Sequence, residues 1–220
     1  MKRSTRPITI DNIIRTHAER HHEIRERLDE FAEIWRSGTD VQLLEEMVFC
    51  FFTGGCSARM GLNSLEAIKP ILLTADQPEL ANALVGHHRY PNARSKYVAA
   101  SRDFLKEQYG LQLRKKLQSF ECSLERRDWL VREKGIKGLG YKEASHYLRN
   151  IGFKGYAILD KHVLNCLVEL EIIDDPKPPK TRSRYLMVEQ QLKTLTRMTR
   201  IDLDELDLVL WSMKTGVILK

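Results

Sequence analysis

Residues 132–152 read REKGIKGLGYKEASHYLRNIG and carry the most informative pattern in the chain. A polar segment ending near Lys134 is followed by the glycine-rich run GIKGLG and by an amphipathic segment that starts near Tyr141. Gly138 and Gly140 allow the backbone to turn sharply and to expose N–H groups to an anion. The second helix points its positive end the same way. The pattern predicts a helix–hairpin–helix that grips a DNA phosphate without reading base sequence. An ordinary turn between two helices, closed by a glycine cap, is the alternative.

Helical periodicity continues on both sides of this hairpin. Near the N-terminus, Ile13, Ile24 and Phe31 recur at helical spacing. Thr39 and Gln42 have the spacing of a capping box that starts the next helix. No segment is a convincing strand, so we predict an all-α fold.

The domain organisation follows from the order of these predicted helices. We expect residues 1–220 to form one unit of two helical subdomains that flank a cleft. The first subdomain covers 75–165 and contains the hairpin motif at about 123–152. The second is built from 1–74 and 166–220, which pack together.

The composition is that of a globular protein with a basic excess. Of 220 residues, 42% are apolar and 30% charged, and the formal net charge is +6. Eight Lys or Arg and two acidic residues lie in 87–116, and seven basic residues and one acidic residue lie in 176–200. These two basic zones favour a surface that follows phosphates, although charged helix faces in solvent would give the same pattern.

Metal, membrane and export signals are all missing from the sequence. The cysteines do not have the spacing of a zinc or iron–sulfur site, lying at positions 50, 56, 122 and 166. The adjacent pairs His21–His22 and His87–His88 point to different sides of a helix, so we interpret them as surface or phosphate-facing residues rather than ligands. No apolar run is long enough to span a membrane, and the start MKRSTRPITI has no apolar signal region. We expect no metal, no membrane contact and a cytoplasmic location.

Two residues near the hairpin could carry chemistry. Lys142 falls in the first turn of the second helix, where the positive helix end and partial burial favour a neutral, nucleophilic amine. Asp160 follows the apolar run YAIL, 18 residues later, and could share a cleft with Lys142. On the residues alone, a structural or phosphate-binding lysine and a plain helix N-cap remain open alternatives.

Beyond these physical arguments, the sequence resembles a known family. The segments KGLGYKEASHYLRNIGF at 137–153 and YAILDKHVL at 156–164 look like the helix–hairpin–helix, Gly/Pro-rich, Asp superfamily of DNA glycosylases. Within it, the chain is most similar to the second family of 8-oxoguanine DNA glycosylase/AP lyases. The similarity extends to LDELDLVLWSMKTGVILK at 203–220 and, more loosely, to HHRYPNARSKYVAASRDF at 87–104.

The resemblance implies roles for the residues at the hairpin and after it. Lys142 matches the family's nucleophilic lysine. Asp160 matches the aspartate that supports departure of the base and proton transfers. Gly138, Leu139 and Gly140 match the turn that holds the DNA backbone.

The resemblance also implies residues that recognise the base. Trp211 matches an aromatic that shapes the base pocket, and Lys220 matches a terminal lysine that helps recognise the oxidised base. A carboxylate at Lys220 would accept hydrogen bonds, as purine N–H donors require, but which group contacts the N7–H of 8-oxoguanine stays open, and an ending without a role is the alternative. Tyr90 aligns with an aromatic that stacks on the flipped base. Trp211 is at helical spacing from Leu208 and could equally be a core residue.

The implied function is excision of 8-oxoguanine from double-stranded DNA, followed by β-elimination that nicks the strand. The iron–sulfur motif of the endonuclease III branch is absent, so we expect no cofactor, and we expect a monomer. A related glycosylase for another damaged base, or a DNA-binding hairpin protein without catalysis, are the alternatives. The turn Gly54-Gly55-Cys56 departs from the usual family pattern, so DNA contacts there, including those opposite the lesion, remain open.

Overall fold

The computed structural model describes residues 7–219, and within that range all regular structure is helical, which confirms the all-α prediction. No helix in this range is both long and apolar enough to cross a membrane. The described part of the chain contains a short 3₁₀ turn, Lys69–Ile71, and eleven α-helices: α1 (Ile10–Ser37), α2 (Asp40–Thr53), α3 (Ala58–Ile68), α4 (Gln77–Ala83), α5 (Pro91–Tyr109), α6 (Leu113–Gln118), α7 (Ser123–Arg132), α8 (Tyr141–Asn150), α9 (Lys161–Glu169), α10 (Arg182–Thr199) and α11 (Leu203–Thr215).

The chain divides into two compact units. The inner unit is Glu33–Ile151, and the outer unit joins the chain up to Ala32 with the chain from Gly152 onward. We expected borders near residues 75 and 165, whereas these units meet near residues 32 and 151. The reason is that α2 packs against α3, α5, α6 and α8, which keeps residues 33–74 with the inner unit.

Helix α2 is the centre of the inner unit. It begins with the predicted capping box, in which the Gln42 amide donates to Thr39 Oγ1 at 3.2 Å and the Thr39 amide donates to Gln42 Oε1 at 2.7 Å. All residues from Met47 to Thr53 are buried, as is the segment 144–150 of α8. Burying each large apolar side chain contributes about 1.5–3 kcal/mol. The α2–α8 pair therefore fixes the helix whose start carries Lys142.

Arg114 closes the end of α1 inside the inner unit. Its guanidinium donates to the carbonyl oxygens of Ile34, Trp35 and Gly38, and it lies over the Trp35 ring at 4.8 Å from the centroid. Its backbone N–H also donates to Asp40 Oδ1 at 2.7 Å. The last carbonyls of a helix have no partner within the helix, so one side chain here satisfies several of them.

In the outer unit, Glu205 of α11 links that helix to α1. Its Oε1 accepts from Arg25 Nη1 at 2.9 Å, and its Oε2 lies 2.6 Å from His17 Nε2. Burial acts to raise the pKa of Glu205, but the hydrogen bonds from Arg25 and His17 outweigh it and hold the pKa below its ordinary value.

Candidate active site

The hairpin between α7 and α8 is held against α5. The Lys137 amide donates to Ser101 Oγ at 2.8 Å. Gly138 has a φ of +80°, and a Cβ added there would lie 2.6 Å from Cδ2 of Tyr97. Only glycine suits that conformation and that contact. Leu139 is buried beside it, while Gly138 and Gly140 are exposed, so the turn is anchored by one side chain and offers its backbone outward.

Gly140 has a different use from the one predicted. Its φ of −87° and ψ of −176° are extended values open to any residue, so it is not needed for a sharp turn. It is the N-cap of α8 and provides no side-chain hydrogen bond to the first turn. The first amides of α8 are therefore not capped by the preceding side chain, which is the arrangement that binds anions at a helix start.

Lys142 is the second residue of α8. Its side chain is 22% exposed, and Nζ lies 3.9 Å from Oε1 of Glu143. Glu143 was missed by the sequence analysis, and only its adjacency to Lys142 could have indicated it. An acidic side chain in the first turn of a helix is favourable and partly offsets the unfavourable placement of a lysine there.

Tyr90 is positioned by His88. Tyr90 is the N-cap of α5 and is 45% exposed, which leaves its ring available for contact. Its backbone N–H donates to His88 Nδ1 at 2.9 Å, and His88 Nε2 donates to the carbonyl of Phe52 at 3.1 Å. Because Nδ1 accepts and Nε2 donates, His88 is the neutral tautomer protonated on Nε2.

The interpretation of His88 as a surface or phosphate-facing residue is wrong, since its ring is buried between α2 and the start of α5. Burial lowers the pKa of His88, although the hydrogen bond to Phe52 opposes the shift. His87 remains exposed. A pair of adjacent histidines in a turn gives no local signal for which of them is buried.

Several basic side chains of the first basic zone, residues 87–116, hydrogen-bond to backbone carbonyls and so stabilise the fold. Arg102 is buried and donates to the carbonyls of Leu72 and Ala75, at 2.9 and 2.6 Å. Arg94 donates to the carbonyl of Gly54 and lies over the Tyr97 ring. Arg114 has the role at the end of α1 described above.

Other basic residues of that zone face solvent. Arg89, Lys96 and Lys115 are exposed, so their charges remain available to phosphates. The turn that Arg94 holds contains Gly55, at a φ of +75° with open space around it, and the half-buried Cys56.

Asp160 is the N-cap of α9, as predicted. Its Oδ1 accepts from the amides of His162 and Val163, both at 2.8 Å. The second oxygen, Oδ2, takes no part in this cap. Asp160 is half-buried.

Buried polar side chains brace the extended run before Asp160. The Ala157 carbonyl accepts from Tyr185 Oη at 2.6 Å, and the Ala157 amide donates to Glu189 Oε2 at 3.3 Å. The Gly155 amide donates to both carboxylate oxygens of Asp204 at 3.2 Å. The carboxylate of Asp160 thus sits at the end of a segment with little freedom.

Trp211 lies in α11, half-buried, with its ring edge-to-face with His162 at 6.5 Å between centroids. The outer unit therefore brings Trp211 to the first turn of α9, which Asp160 caps. Burial lowers the pKa of His162, and the charge of Asp160 opposes that shift. The sequence analysis did not single out His162. Lys220 lies outside the described residues.

The predicted site residues fall into both compact units. The inner unit contains the hairpin, Lys142 and Tyr90, and the outer unit contains Asp160 and Trp211. The convergence of Lys142 and Asp160 stays a prediction.

Comparison with known proteins identifies the family to which the chain with these residues belongs. Residues 24–201 match the family model described as 8-oxoguanine DNA glycosylase. The chain belongs to this 8-oxoguanine DNA glycosylase family. It is 40% identical to an 8-oxoguanine DNA glycosylase/AP lyase of Korarchaeum cryptofilum, over 96% of this chain and 97% of the relative.

Solved structures of the same family match throughout. One is the Methanocaldococcus jannaschii 8-oxoguanine glycosylase/lyase in complex with a 15mer DNA containing 8-oxoguanine, with a TM-score of 0.88 and 32% identity over 96% of this chain and 99% of that chain. Another is the 8-oxoguanine DNA glycosylase of Thermotoga maritima, with a TM-score of 0.87 and 31% identity over 96% and 98%. The family thus covers both units of the chain.

The close contact at Gly138 predicts that adding a side chain there lowers both stability and DNA binding. We expect Gly138→Ala to cost more stability than Gly86→Ala. Both glycines have a φ of +80°, but a Cβ at Gly86 meets nothing within 4 Å, whereas one at Gly138 meets Tyr97. The shared backbone cost is about 1–2 kcal/mol, and the contact adds about 1–3 kcal/mol. Urea unfolding measures the stabilities, and duplex binding should weaken in Gly138→Ala alone. Equal losses in both variants would contradict the Tyr97 constraint.

The His88 contacts predict a pH-dependent effect. The folded-state pKa of His88 is lowered, so its contribution to stability is present above its ordinary pKa of about 6.5 and is lost as pH falls below it. His88→Ala should therefore be clearly less stable than wild type at pH 7.5, and the gap should narrow at pH 5.5. Thermal unfolding at both pH values measures it, with exposed His87→Ala as the control. A gap of the same size at both pH values would count against the neutral tautomer.

Proposed function

We propose that this protein excises 8-oxoguanine from double-stranded DNA as a bifunctional glycosylase and AP lyase, with Lys142 as the nucleophile. The observation that carries the proposal is a half-buried lysine in the first turn of the hairpin's second helix, in a chain of the 8-oxoguanine DNA glycosylase family. Relatives named 8-oxoguanine DNA glycosylase/AP lyase support both activities.

The reaction begins with extrusion of the damaged nucleotide. A base inside a duplex is out of reach, so it must leave the stack at a cost of a few kcal/mol. Exposed Tyr90 offers a ring on which the extruded base can stack, and Trp211 is the aromatic that the family resemblance assigns to the base pocket. The hairpin amides and the uncapped start of α8 hold the phosphate backbone meanwhile.

The amine of Lys142 carries out both base removal and strand cleavage. Lys142 Nζ attacks C1′, the bond from C1′ to the base breaks, and the base departs with the bonding electrons. The resulting N,O-acetal then opens: the C1′–O4′ bond breaks, its electrons go to O4′, which takes up a proton, and the nitrogen lone pair forms the Schiff base between Nζ and C1′. Loss of a proton from C2′ lets the bond from C3′ to its oxygen break, which is the β-elimination that nicks the strand.

Asp160 supplies negative charge to this sequence. As the base departs, positive charge develops on the sugar, and a fixed carboxylate stabilises it without reorganising. One oxygen of Asp160 is held by two amides of α9, which fixes the carboxylate and leaves Oδ2 for the sugar. The same group can accept and return protons during Schiff-base formation.

We infer further that the reaction uses no metal and no iron–sulfur cluster, since an amine is itself the nucleophile. Cys50 and Cys166 are buried, and burial raises the pKa of Cys166 to about 12, which disfavours the thiolate that ligates iron. The four cysteines all lie among the described residues and form no disulfide, which is consistent with a reducing compartment, and we propose a monomer acting at DNA in the cytoplasm.

Borohydride trapping on 8-oxoguanine duplex tests the nucleophile. Wild type should give a covalent protein–DNA adduct, and Lys142→Gln should give none while still binding the duplex. Lys137→Gln is the matched control, because Lys137 is an exposed lysine of the same hairpin and its removal should weaken binding without abolishing the adduct. An adduct in Lys142→Gln would remove Lys142 from the mechanism.

A panel of single-lesion duplexes separates 8-oxoguanine from other lesions as the substrate. The absence of an adduct with every duplex would indicate a binding protein without catalysis.

A pair of variants separates the two roles of Asp160. Asp160→Asn keeps an oxygen for the α9 cap but removes the charge, so the protein should stay folded while base release falls at least about 100-fold. Asp160→Ala should lose the same activity and, in addition, about 1 kcal/mol of stability from the cap. Single-turnover excision and urea unfolding measure the two effects. Near-normal excision by Asp160→Asn would exclude the carboxylate from the reaction.

A further inference from the structure

A cluster of metal-binding side chains lies in the outer unit, among residues to which the reaction assigns no role. His17 and His21 are one turn apart on α1, so their side chains share a face of the helix, and their rings meet edge-to-face at 5.1 Å. Glu205 is the third residue of α11, and its carboxylate faces the two imidazole rings. One donor atom from each of the three residues lies within 4.8 Å of the others.

The donor set matches the preferences of zinc. Two imidazole nitrogens and one carboxylate oxygen are a common set of three protein ligands for Zn²⁺, with the fourth position left to water. A tetrahedral ion with bonds of about 2.0–2.2 Å spaces its ligands about 3.3–3.6 Å apart. His17 Nε2 and Glu205 Oε2 are 2.6 Å apart, which is closer than two ligands of one zinc ion. Small side-chain rotations bring these two atoms to the spacing that the ion requires. His21 is exposed, which gives the ion a path of entry.

Arg25 prepares the carboxylate for such an ion. The Glu205 side chain is 8% exposed, and Arg25 holds its Oε1 at 2.9 Å, which directs Oε2 toward the histidines. A partner that fixes the non-ligating atom of a ligand is the usual outer shell of a metal site. Arg25 also offsets the carboxylate charge, which disfavours Mg²⁺, an ion bound through carboxylate oxygens, relative to Zn²⁺ with its two imidazoles.

We propose that His17, His21 and Glu205 form a binding site for a divalent transition-metal ion, with Zn²⁺ the best fit. The ion joins α1 to α11 within the outer unit and stabilises that unit. The proposal is independent of the excision reaction, because none of the three residues acts in it. The sequence analysis expected no metal because it considered only the cysteine spacing and the adjacent histidine pairs, and Glu205 lies 184 residues beyond His21.

The chain contains a matched control for this site. His22 is adjacent to His21 on the same helix and is also exposed, but it faces Glu26, with Nδ1 3.3 Å from Oε2. His21→Ala and His22→Ala therefore remove the same surface group, and only the first removes a proposed ligand. Neither substitution touches a buried side chain, so both variants should fold.

The test is zinc chloride titrated into untagged, chelator-treated protein, followed by calorimetry and by thermal unfolding. Wild type and His22→Ala should bind one Zn²⁺ per chain and unfold at a higher temperature with zinc, as binding to the folded state requires. His21→Ala should bind at least about 10-fold more weakly, by analogy with the loss of supporting groups at metal sites. Magnesium chloride should not stabilise any of the three proteins.

Two binding results would overturn the proposal. One is the absence of saturable one-to-one binding to wild type. The other is an equal loss in His21→Ala and His22→Ala, which would indicate adventitious binding by surface histidines. A zinc-edge anomalous map of soaked crystals should place the ion at His17 Nε2, and an ion elsewhere would count equally against it. Borohydride trapping by the chelator-treated enzyme should be unchanged, and its loss would contradict the separation of this site from the reaction.

Discussion

The hairpin depends on one close contact, between the backbone of Gly138 and the ring of Tyr97. At a φ of +80° and with no room for a Cβ, this position accepts only glycine, and the chain that follows must enter α8 from a fixed direction. Helix α8 is in turn buried from residue 144 to residue 150 against the apolar helix α2. Lys142 lies on the half-buried first turn of that helix, so its position is set by the packing on either side of it rather than by its own contacts.

Buried polar groups fix the backbone of the outer unit before Asp160, as the contact at Gly138 fixes the hairpin of the inner unit. The run before Asp160 has no regular structure of its own, so its amides and carbonyls need partners from elsewhere. Tyr185, Glu189 and Asp204 provide them. Basic side chains play a similar part in the inner unit, where Arg102 satisfies backbone carbonyls. A basic zone in a DNA-binding protein is thus only partly an electrostatic surface, because several of its guanidiniums are committed to the fold.

Local features could be predicted from the sequence, and long-range ones could not. The Thr39–Gln42 capping box, the start of α8 at Tyr141 and the Asp160 cap depend on residues within four positions of one another, and all three were predicted. The borders of the units depend on which helices pack on α2, and the pattern of a helix does not name its partner. His88 is buried because α2 and α5 close around it, and Glu205 approaches His17 across 188 positions of sequence. Neither has a local signature.

The two helix starts that carry the proposed chemistry have opposite charge. At α9, Asp160 places a carboxylate on the positive end of the helix and takes up its first amides. At α8, glycine leaves the amides without a side-chain cap, and Lys142 adds a cation that Glu143 only partly offsets. An uncapped positive start suits the phosphates of DNA, and a capped negative start suits a sugar that becomes positive as its base departs. The same backbone dipole thus serves two tasks, and the residue at each N-cap decides which one.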